Sequence, residues 1–315
     1  MSITVLKSGT QTTVQDSGRP GFAHLGISAS GAADAFSFRI GNHIVGNDPN
    51  TAALEITLMG GEYELGSNAV IAITGSTFDA SIDDQPVTNW NRYKIQKGQC
   101  LRINSSHDGA RCYVCVQGGF DVPPLLSSRS THLTTGLGGF GGRTLRKGDV
   151  LALGHASELQ CAKMNNVNEI QRQLNCDTIR VTKGLEGDWF NDDAWDSFLN
   201  NQFSVSQAFS RMGLRLEGNS IESSGGHEIL TQGVPLGAVQ VPGNGQPIIS
   251  FLEHQTTGGY PRIANVISAD LCKVGQLKPG DRFQFALVSM AEAGQLYLEQ
   301  MKVFLYQSYE TNDRY

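Results

Sequence analysis

The sequence has no run of about 18 apolar residues, which is the length that a helix needs to cross a bilayer. It also has no basic stripe, and its formal net charge of −6 is spread along the chain. A membrane span and a nucleic-acid partner are therefore not expected. Residues 1–15 alternate polar and apolar side chains without a basic start or an apolar middle, so no signal peptide is expected either.

Cysteine is sparse, with six residues scattered over the chain. Cys112 and Cys115 have the CxxC spacing, but Tyr113 and Val114 between them favour a strand. Residues three apart in a strand point to opposite faces, which suits neither a metal site nor a redox pair. His, Cys and Asp nowhere cluster with metal-ligand spacing, and no GxSxG elbow is present. We predict reduced structural thiols in a cytoplasmic protein without a metal.

Glycine is the residue in excess, with 37 of 315 positions where an average composition gives about 22. The glycines separate short apolar runs, which is typical of turns and bulges in a mainly β protein. Three stretches (96–101, 146–151 and 278–283) repeat a glycine turn that leads into an alternating strand. Strands are predicted at 3–6, 69–74, 93–95, 100–104, 113–117, 150–153, 178–182, 237–241, 248–252 and 283–287.

Helical periodicity is confined to three stretches, 30–45, 188–200 and 289–305, and Ser30 is a possible cap of the first. The polar stretch 156–177 has little pattern and separates two strand-rich halves. It predicts two domains, 1–160 and 177–305, joined by a connection, with residues 310–315 as a loose end.

Several motifs in the first half each allow two interpretations. In VQDSGRPG (14–21), Asp16 could satisfy backbone N–H groups in a tight turn, or the loop could present Arg19 to an anion. Glu55 lies in a predicted strand and could face solvent or be buried. The glycine-rich run 136–143 lacks the Lys-Ser/Thr of a phosphate loop, so it is either a substrate-covering loop or a set of strained turns.

The second half contains SRMGLRL (210–216), GAVQVP (237–242) and EHQTTGGYPRI (253–263). The last run places threonines, glycines, a tyrosine and a proline after a predicted strand, and such a loop suits recognition of a small amide, urea or carboxylate. A purely structural turn is the alternative. His254 lies inside this motif, where a hydrogen-bonding role is more common than catalysis.

Taken in order, VQDSGRPG, ALEIT, QGGFDVP, SSRSTH, GGFGGR, SRMGLRL and QTTGGYP resemble the KipA / PxpC family, which comprises the C subunits of 5-oxoprolinase and is also called allophanate hydrolase subunit 2. The set is also similar to part of the carboxyltransferase domain of biotin-dependent urea carboxylase, and the resemblance covers roughly residues 3–290. Biotin carrier and biotin carboxylase parts are not in this sequence, so a free-standing urea carboxylase is not expected. Ala208-Phe209-Ser210, Ala33 and Glu253-His254 depart from the family pattern, which concerns the substrate more than the fold.

The resemblance implies two cyclophilin-like β-barrel domains with a few short helices, in a cytoplasmic protein. It implies ATP-dependent hydrolysis of 5-oxo-L-proline to L-glutamate together with a KipI-like (PxpB) subunit and a LamB/YcsF-type (PxpA) subunit. No phosphate loop is legible in this chain, so ATP is expected to bind at the level of the complex. The alternatives are a regulator that antagonises a KipI-type kinase inhibitor, or a carboxyltransferase or allophanate-hydrolase-like subunit with an amide or ureido substrate.

The enzymatic hypothesis predicts a polar cleft, in which arginines hold a carboxylate, bicarbonate-like or phosphorylated intermediate and Tyr260 and Gln255 orient the amide. The predicted catalytic residues are Arg19, Asp34, Arg129, Arg211 and Tyr260. The predicted substrate-binding residues are Arg39, Gln240, Gln255, Thr256 and Thr257.

Overall fold

The fold is taken from a computed structural model that describes residues 1–155, 170 and 174–309. The predicted connection 156–177 lies largely outside these residues, and the predicted loose end 310–315 lies entirely outside them. The chain divides into two compact units. The first unit consists of Met1–Arg19, Ser30–Arg172 and Val303–Tyr315, and the second of Pro20–Ala29 and Gln173–Lys302. The domain limits 1–160 and 177–305 stay predictions.

The described strands of the first unit form two sheets. These strands are β1 (Ser2–Lys7), β2 (Gln11–Gln15), β3 (Ala53–Thr57), β4 (Glu62–Leu65), β5 (Ala69–Gly75), β6 (Phe78–Ile82), β7 (Gln85–Val87), β8 (Arg92–Ile95), β9 (Cys100–Ser106), β10 (Arg111–Val116) and β11 (Val150–Ala152). One sheet has the order β11-β1-β4-β9-β6-β7 and the other β2-β3-β10-β5-β8. All neighbours pair antiparallel, and apolar residues from both sheets form a single core cluster.

Strand β10 is buried along its whole length because both of its faces are covered. Cys112 belongs to the core cluster on one face. Cys115, three residues later, has its Sγ 3.7 Å from the carbonyl oxygen of Phe38, which lies in helix α1 (Ala35–Ile44) on the other face. Both are free cysteines, so the prediction that this CxxC pair points to opposite faces is confirmed.

Helix α1 begins later than its sequence pattern indicates. Asp34 is the N-cap, and its Oδ1 accepts a hydrogen bond from the backbone N–H of Ser37 at 2.9 Å. The prediction of Ser30 as the cap is wrong, because Ser30 has a left-handed φ of 57° and its hydroxyl donates to the carbonyl of Thr131 at 2.8 Å. The residues between them form the connection into the helix.

The second unit contains a closed seven-stranded barrel with the order β12-β19-β16-β17-β14-β13-β20. Its strands are β12 (Thr178–Lys183), β13 (Gln202–Val205), β14 (Gly213–Glu217), β16 (Ala238–Gln240), β17 (Ile248–Ser250), β19 (Arg262–Val266) and β20 (Arg282–Leu287), and a separate ribbon pairs β15 (Gln232–Gly233) with β18 (Thr257–Gly258). The described helices that follow α1 are α2 (Asp192–Asn200), α3 (Leu271–Gln276) and α4 (Met290–Tyr309). Phe198 of α2 stacks on Phe285 of β20 with ring centroids 4.4 Å apart, which anchors the helix on the barrel.

The prediction of a mainly β fold is confirmed. Every strand predicted above is present with limits that agree within two residues, and each predicted helical stretch contains a helix. The closed barrel lies in the second unit, whereas the described strands of the first unit form two sheets. None of the helices in the described part of the chain is long and apolar enough to cross a membrane.

Candidate functional site

A cleft of about 330 Å³ lies on the outer face of the barrel. Strand alternation builds its floor. Leu214 and Ile249 are buried in the barrel interior, at 1% and 0% exposure, so their neighbours Arg215, Ile248 and Ser250 face outwards. The cleft is lined by Ala208, Ser210, Met212, Gly213, Arg215, Gln240, Ile248, Ser250, His254, Gln255, Gly258, Gly259 and Tyr260.

The QTTGGYP loop forms one wall of this cleft, and backbone hydrogen bonds fix its position. Thr257 and Gly258 pair with β15, the carbonyl of Thr256 accepts the N–H of Val234 at 3.0 Å, and the carbonyl of Gly259 accepts the N–H of Ile229 at 2.8 Å. The loop is therefore tied into a ribbon, as the structural interpretation expects, and it also presents side chains to a cleft. Recognition of a small amide, urea or carboxylate by this loop stays a prediction.

Arg262, directly after this motif, holds the loop from behind. It is 3% exposed, and its Nε and Nη2 donate to the two carboxylate oxygens of Glu186 at 2.7 and 2.6 Å. Its Nη1 also donates to the carbonyl of Gly233, and its Nη2 to Oε1 of Gln232, both at 2.9 Å. The hydrogen bonds that Glu186 accepts from Arg262 hold the pKa of Glu186 below its usual value. Sequence reasoning did not select Arg262, although its place directly after QTTGGYP could have marked it as a residue that positions the loop.

Gln240 presents an amide to the cleft. Gln240 lies opposite Ile248 on β17 and, like Ile248, faces outwards. Its Oε1 accepts a hydrogen bond from the Ser250 hydroxyl at 3.2 Å, which leaves Nε2 as the donor side of the amide. Gly258 makes room for it, because a Cβ there would lie 3.0 Å from Nε2 of Gln240.

His254 lines the cleft as a neutral imidazole. Its Nδ1 lies 2.8 Å from the carbonyl oxygen of Gln255, and since a carbonyl can only accept, Nδ1 carries the proton. Burial lowers the pKa of His254, which favours the neutral ring at physiological pH. Nε2 is then the nitrogen with a lone pair, able to accept a hydrogen bond.

The two arginines of SRMGLRL have different environments. Arg211 is 4% exposed, and its Nε donates to Oε1 of Glu253, itself 2% exposed, at 2.6 Å. Arg215 is exposed at the cleft and forms no ion pair with any residue that the structure describes. Of the six predicted residues in this unit, Gln240, Gln255 and Tyr260 line the cleft, whereas Arg211, Thr256 and Thr257 are outside its lining. Sequence reasoning did not select Arg215.

In the first unit, Asp16 organises the loops around it. Its carboxylate accepts hydrogen bonds from the N–H of Gly18 at 2.8 Å and from the hydroxyls of Ser128 and Ser130 at 2.7 and 2.5 Å. The interpretation of Asp16 as a turn residue is therefore confirmed. Arg19 is 1% exposed, and its Nη2 donates to the carbonyl of Ser130, so the guanidinium points into the protein.

Asp34, Arg39 and Arg129 also belong to the first unit. Asp34 is fully buried as the cap of α1, and Arg39 lies half-buried on the same helix. Nε of Arg129 donates to the carbonyl of Val122 at 2.9 Å, and its side chain remains 42% exposed. The ten predicted residues are thus divided four to six between the units, and the single cleft that would unite them stays a prediction.

The remaining alternatives in the first unit are decided by packing. Glu55 is buried, and its Oε2 accepts the N–H of Ala33 at 2.7 Å and the hydroxyl of Tyr113 at 2.8 Å. In the glycine-rich run, side chains at Gly139 or Gly142 would overlap Thr131 or the loop's own backbone, and both glycines have positive φ. The run therefore packs closely as a set of turns, and its role as a substrate-covering loop stays a prediction. No group of three or more His, Cys, Asp and Glu among the described residues could hold a metal ion.

The second unit is thus a closed β-barrel whose outer face carries a polar cleft. The family model described as "Carboxyltransferase domain, subdomain A and B" matches residues 25–287, and the chain belongs to this family. It is 40% identical to the C subunit of 5-oxoprolinase from Escherichia coli over 95% of this chain and 96% of that protein. It is 36% identical to the protein of the same name from Haemophilus influenzae, over 95% and 97%.

A solved structure supports the same fold. The crystal structure of the Kluyveromyces lactis urea carboxylase matches 96% of this chain with a TM-score of 0.88 and 33% identity. The chain spans only 28% of that protein, so the activity of the whole carboxylase is not carried over.

Proposed function

We propose that this chain is the C subunit of an ATP-dependent 5-oxoprolinase, which hydrolyses 5-oxo-L-proline to L-glutamate. The observation that carries the proposal is the 40% identity to the C subunit of a 5-oxoprolinase over nearly the full length of both chains. Full-length correspondence matters, because it aligns the whole chain with one subunit rather than with a fragment of a larger enzyme.

The chemistry of the cleft is compatible with this substrate. It offers a guanidinium from Arg215, amide groups from Gln240 and Gln255, a phenol from Tyr260 and a neutral imidazole from His254. These groups bind and orient an amide, but the Ser250 hydroxyl is hydrogen-bonded to the Gln240 amide rather than to a base, so it is not an activated nucleophile. The chain therefore positions the substrate, and chemical activation is supplied by the complex.

ATP and the partners belong to that complex. An amide oxygen becomes a good leaving group when ATP phosphorylates it, and the glycine-rich run of this chain lacks the Lys-Ser/Thr of a phosphate loop. The proposal accordingly places ATP binding at the KipI/PxpB-like subunit or at an interface with it. A LamB/YcsF (PxpA)-like subunit is the third member of the assembly, which works in the cytoplasm.

The test is glutamate formation from 5-oxo-L-proline and ATP, measured for the chain alone and after reconstitution with the two neighbouring subunits. Turnover is expected only with all three. Gln240→Leu should raise the KM, because it removes the amide from the cleft, while Gln202→Leu, an exposed strand position outside the cleft, should not. A complex that assembles and binds a KipI-like protein without forming glutamate would favour a regulatory role instead.

A second candidate is carboxyl transfer to a ureido substrate, which is favoured by the family match and by the fold shared with the urea carboxylase. In this reaction the bond between the carboxyl carbon and N1′ of carboxybiotin breaks, a bond from that carbon to a urea nitrogen forms, and the proton that this nitrogen loses passes to N1′. Urea-dependent loss of the carboxyl group from carboxybiotin in the presence of this chain would support it.

A further inference from the structure

Arg215 gives the cleft an unbalanced positive charge. It is the only lysine or arginine among the described residues that line the cleft, and this lining contains no carboxylate. Three other arginines of the same unit are paired with carboxylates: Arg180 with Asp270, Arg211 with Glu253 and Arg262 with Glu186. An unpaired guanidinium at a concave site is the residue type that grips a carboxylate through two parallel hydrogen bonds.

The uncharged groups of the cleft are arranged to recognise an amide. The Ser250 hydroxyl donates a hydrogen bond to Oε1 of Gln240, so Nε2 of this amide remains as a donor for a ligand. Nδ1 of His254 donates to the carbonyl of Gln255, so Nε2 remains as an acceptor for a ligand. A ligand C=O and an adjacent ligand N–H are the complementary partners for Nε2 of Gln240 and Nε2 of His254.

We propose that this cleft binds a small cyclic amide that carries a carboxylate, with Arg215 as the residue that holds the carboxylate and His254 as the acceptor of the amide N–H. This inference rests on the proposed function and assigns the substrate site of that function to the outer face of the barrel. It replaces Arg211 with Arg215 as the anion-binding arginine of SRMGLRL, because Glu253 already occupies Arg211.

The first experiment compares two ligands that differ only in the carboxylate, 5-oxo-L-proline and 2-pyrrolidinone. Their equilibrium binding to the full chain is measured by calorimetry, alone and with the neighbouring subunits present. Arg215→Gln should weaken 5-oxo-L-proline about tenfold or more while changing 2-pyrrolidinone less than about twofold, since a charge-assisted pair is lost. The matched control is Arg282→Gln, an exposed arginine of β20 outside the cleft, which should change neither affinity.

The second experiment removes the amide proton. N-methyl-5-oxo-L-proline should bind the wild-type chain more weakly than 5-oxo-L-proline. His254→Asn keeps a donor for the Gln255 carbonyl but lacks Nε2, so the two ligands should bind this variant with similar affinity. A merely structural His254 would instead weaken both ligands by the same factor.

The outcomes separate this inference from the proposed function. If the complex turns over 5-oxo-L-proline and Arg215→Gln leaves its KM unchanged, the site assignment is overturned and the function stands. If the complex is inactive but the carboxylate preference still depends on Arg215, the site stands and the function does not. Absence of binding by the wild-type chain under both conditions, or binding of urea that ignores Arg215, overturns the site assignment.

Discussion

The ion pair between Arg211 and Glu253 is buried, so loss of either partner alone should destabilise the fold strongly. The two side chains are 3% and 0% exposed, and Nε lies 2.6 Å from Oε1. At that separation the Coulomb attraction is about 6 kcal/mol with an effective dielectric constant of 20. Removing both charges from water costs several kcal/mol per ion and offsets much of this gain.

Removal of one partner is more harmful than removal of both. Arg211→Met leaves a buried carboxylate without its cation, and we expect the free energy of unfolding to fall by about 3–5 kcal/mol. Glu253→Leu should cost a similar amount for the converse reason. The double variant Arg211→Met/Glu253→Leu should be closer to the wild type than either single variant, because no charge is then left buried.

Urea unfolding followed by tryptophan fluorescence measures these effects, since Trp189 and Trp195 lie in the second unit. Arg215→Met is the control, and its exposed side chain predicts a change within about 0.5 kcal/mol. A loss of less than about 1 kcal/mol for Arg211→Met, or additive effects in the double variant, would refute the assignment of Arg211 to a buried structural pair.

Two further predictions concern the wall of the cleft. Gly258→Ala should weaken ligand binding, because the new Cβ would lie 2.9 Å from Cγ2 of Val234 and 3.0 Å from Nε2 of Gln240, so that these side chains must shift. Gly233→Ala has open space around its Cβ and should bind normally in the same calorimetric assay. Glu186 has a lowered pKa, since Arg262 stabilises its charged form. The contribution of Glu186 to the free energy of unfolding is present above its unfolded-state pKa of about 4.3 and is lost as pH falls through its lower folded pKa. In urea unfolding between pH 7 and pH 3, Glu186→Gln should therefore lose less stability than the wild type. An equal loss in both proteins would contradict this role.

The strands and helices could be predicted from the sequence because their signals, residue periodicity and turn residues, lie within each segment. Alternation and glycine turns located β1 and β10, and the opposite directions of Cys112 and Cys115 followed from strand geometry alone. The start of α1 could not be predicted in this way. Ser30 and Asp34 are both good caps, and the carbonyl of Thr131, distant in sequence, binds the Ser30 hydroxyl.

The candidate site was predicted only where its residues lie within a local motif. Gln240, Gln255 and Tyr260 belong to motifs dense in polar residues, and they line the cleft. Arg262 was not selected, because its partner Glu186 is 76 residues away and no local pattern connects the two. Its role depends on the barrel, which brings the start of β19 next to the turn after β12.

The sequence by itself determined the strands, the family and the loop that carries QTTGGYP. Only the tertiary structure decided which arginine of SRMGLRL is free to bind a ligand. Arg211 and Arg215 are four residues apart in the same motif, and their chemistry is identical. Glu253, 42 residues from Arg211 along the chain, neutralises Arg211 in the interior, while the outward register of β14 leaves Arg215 at the cleft.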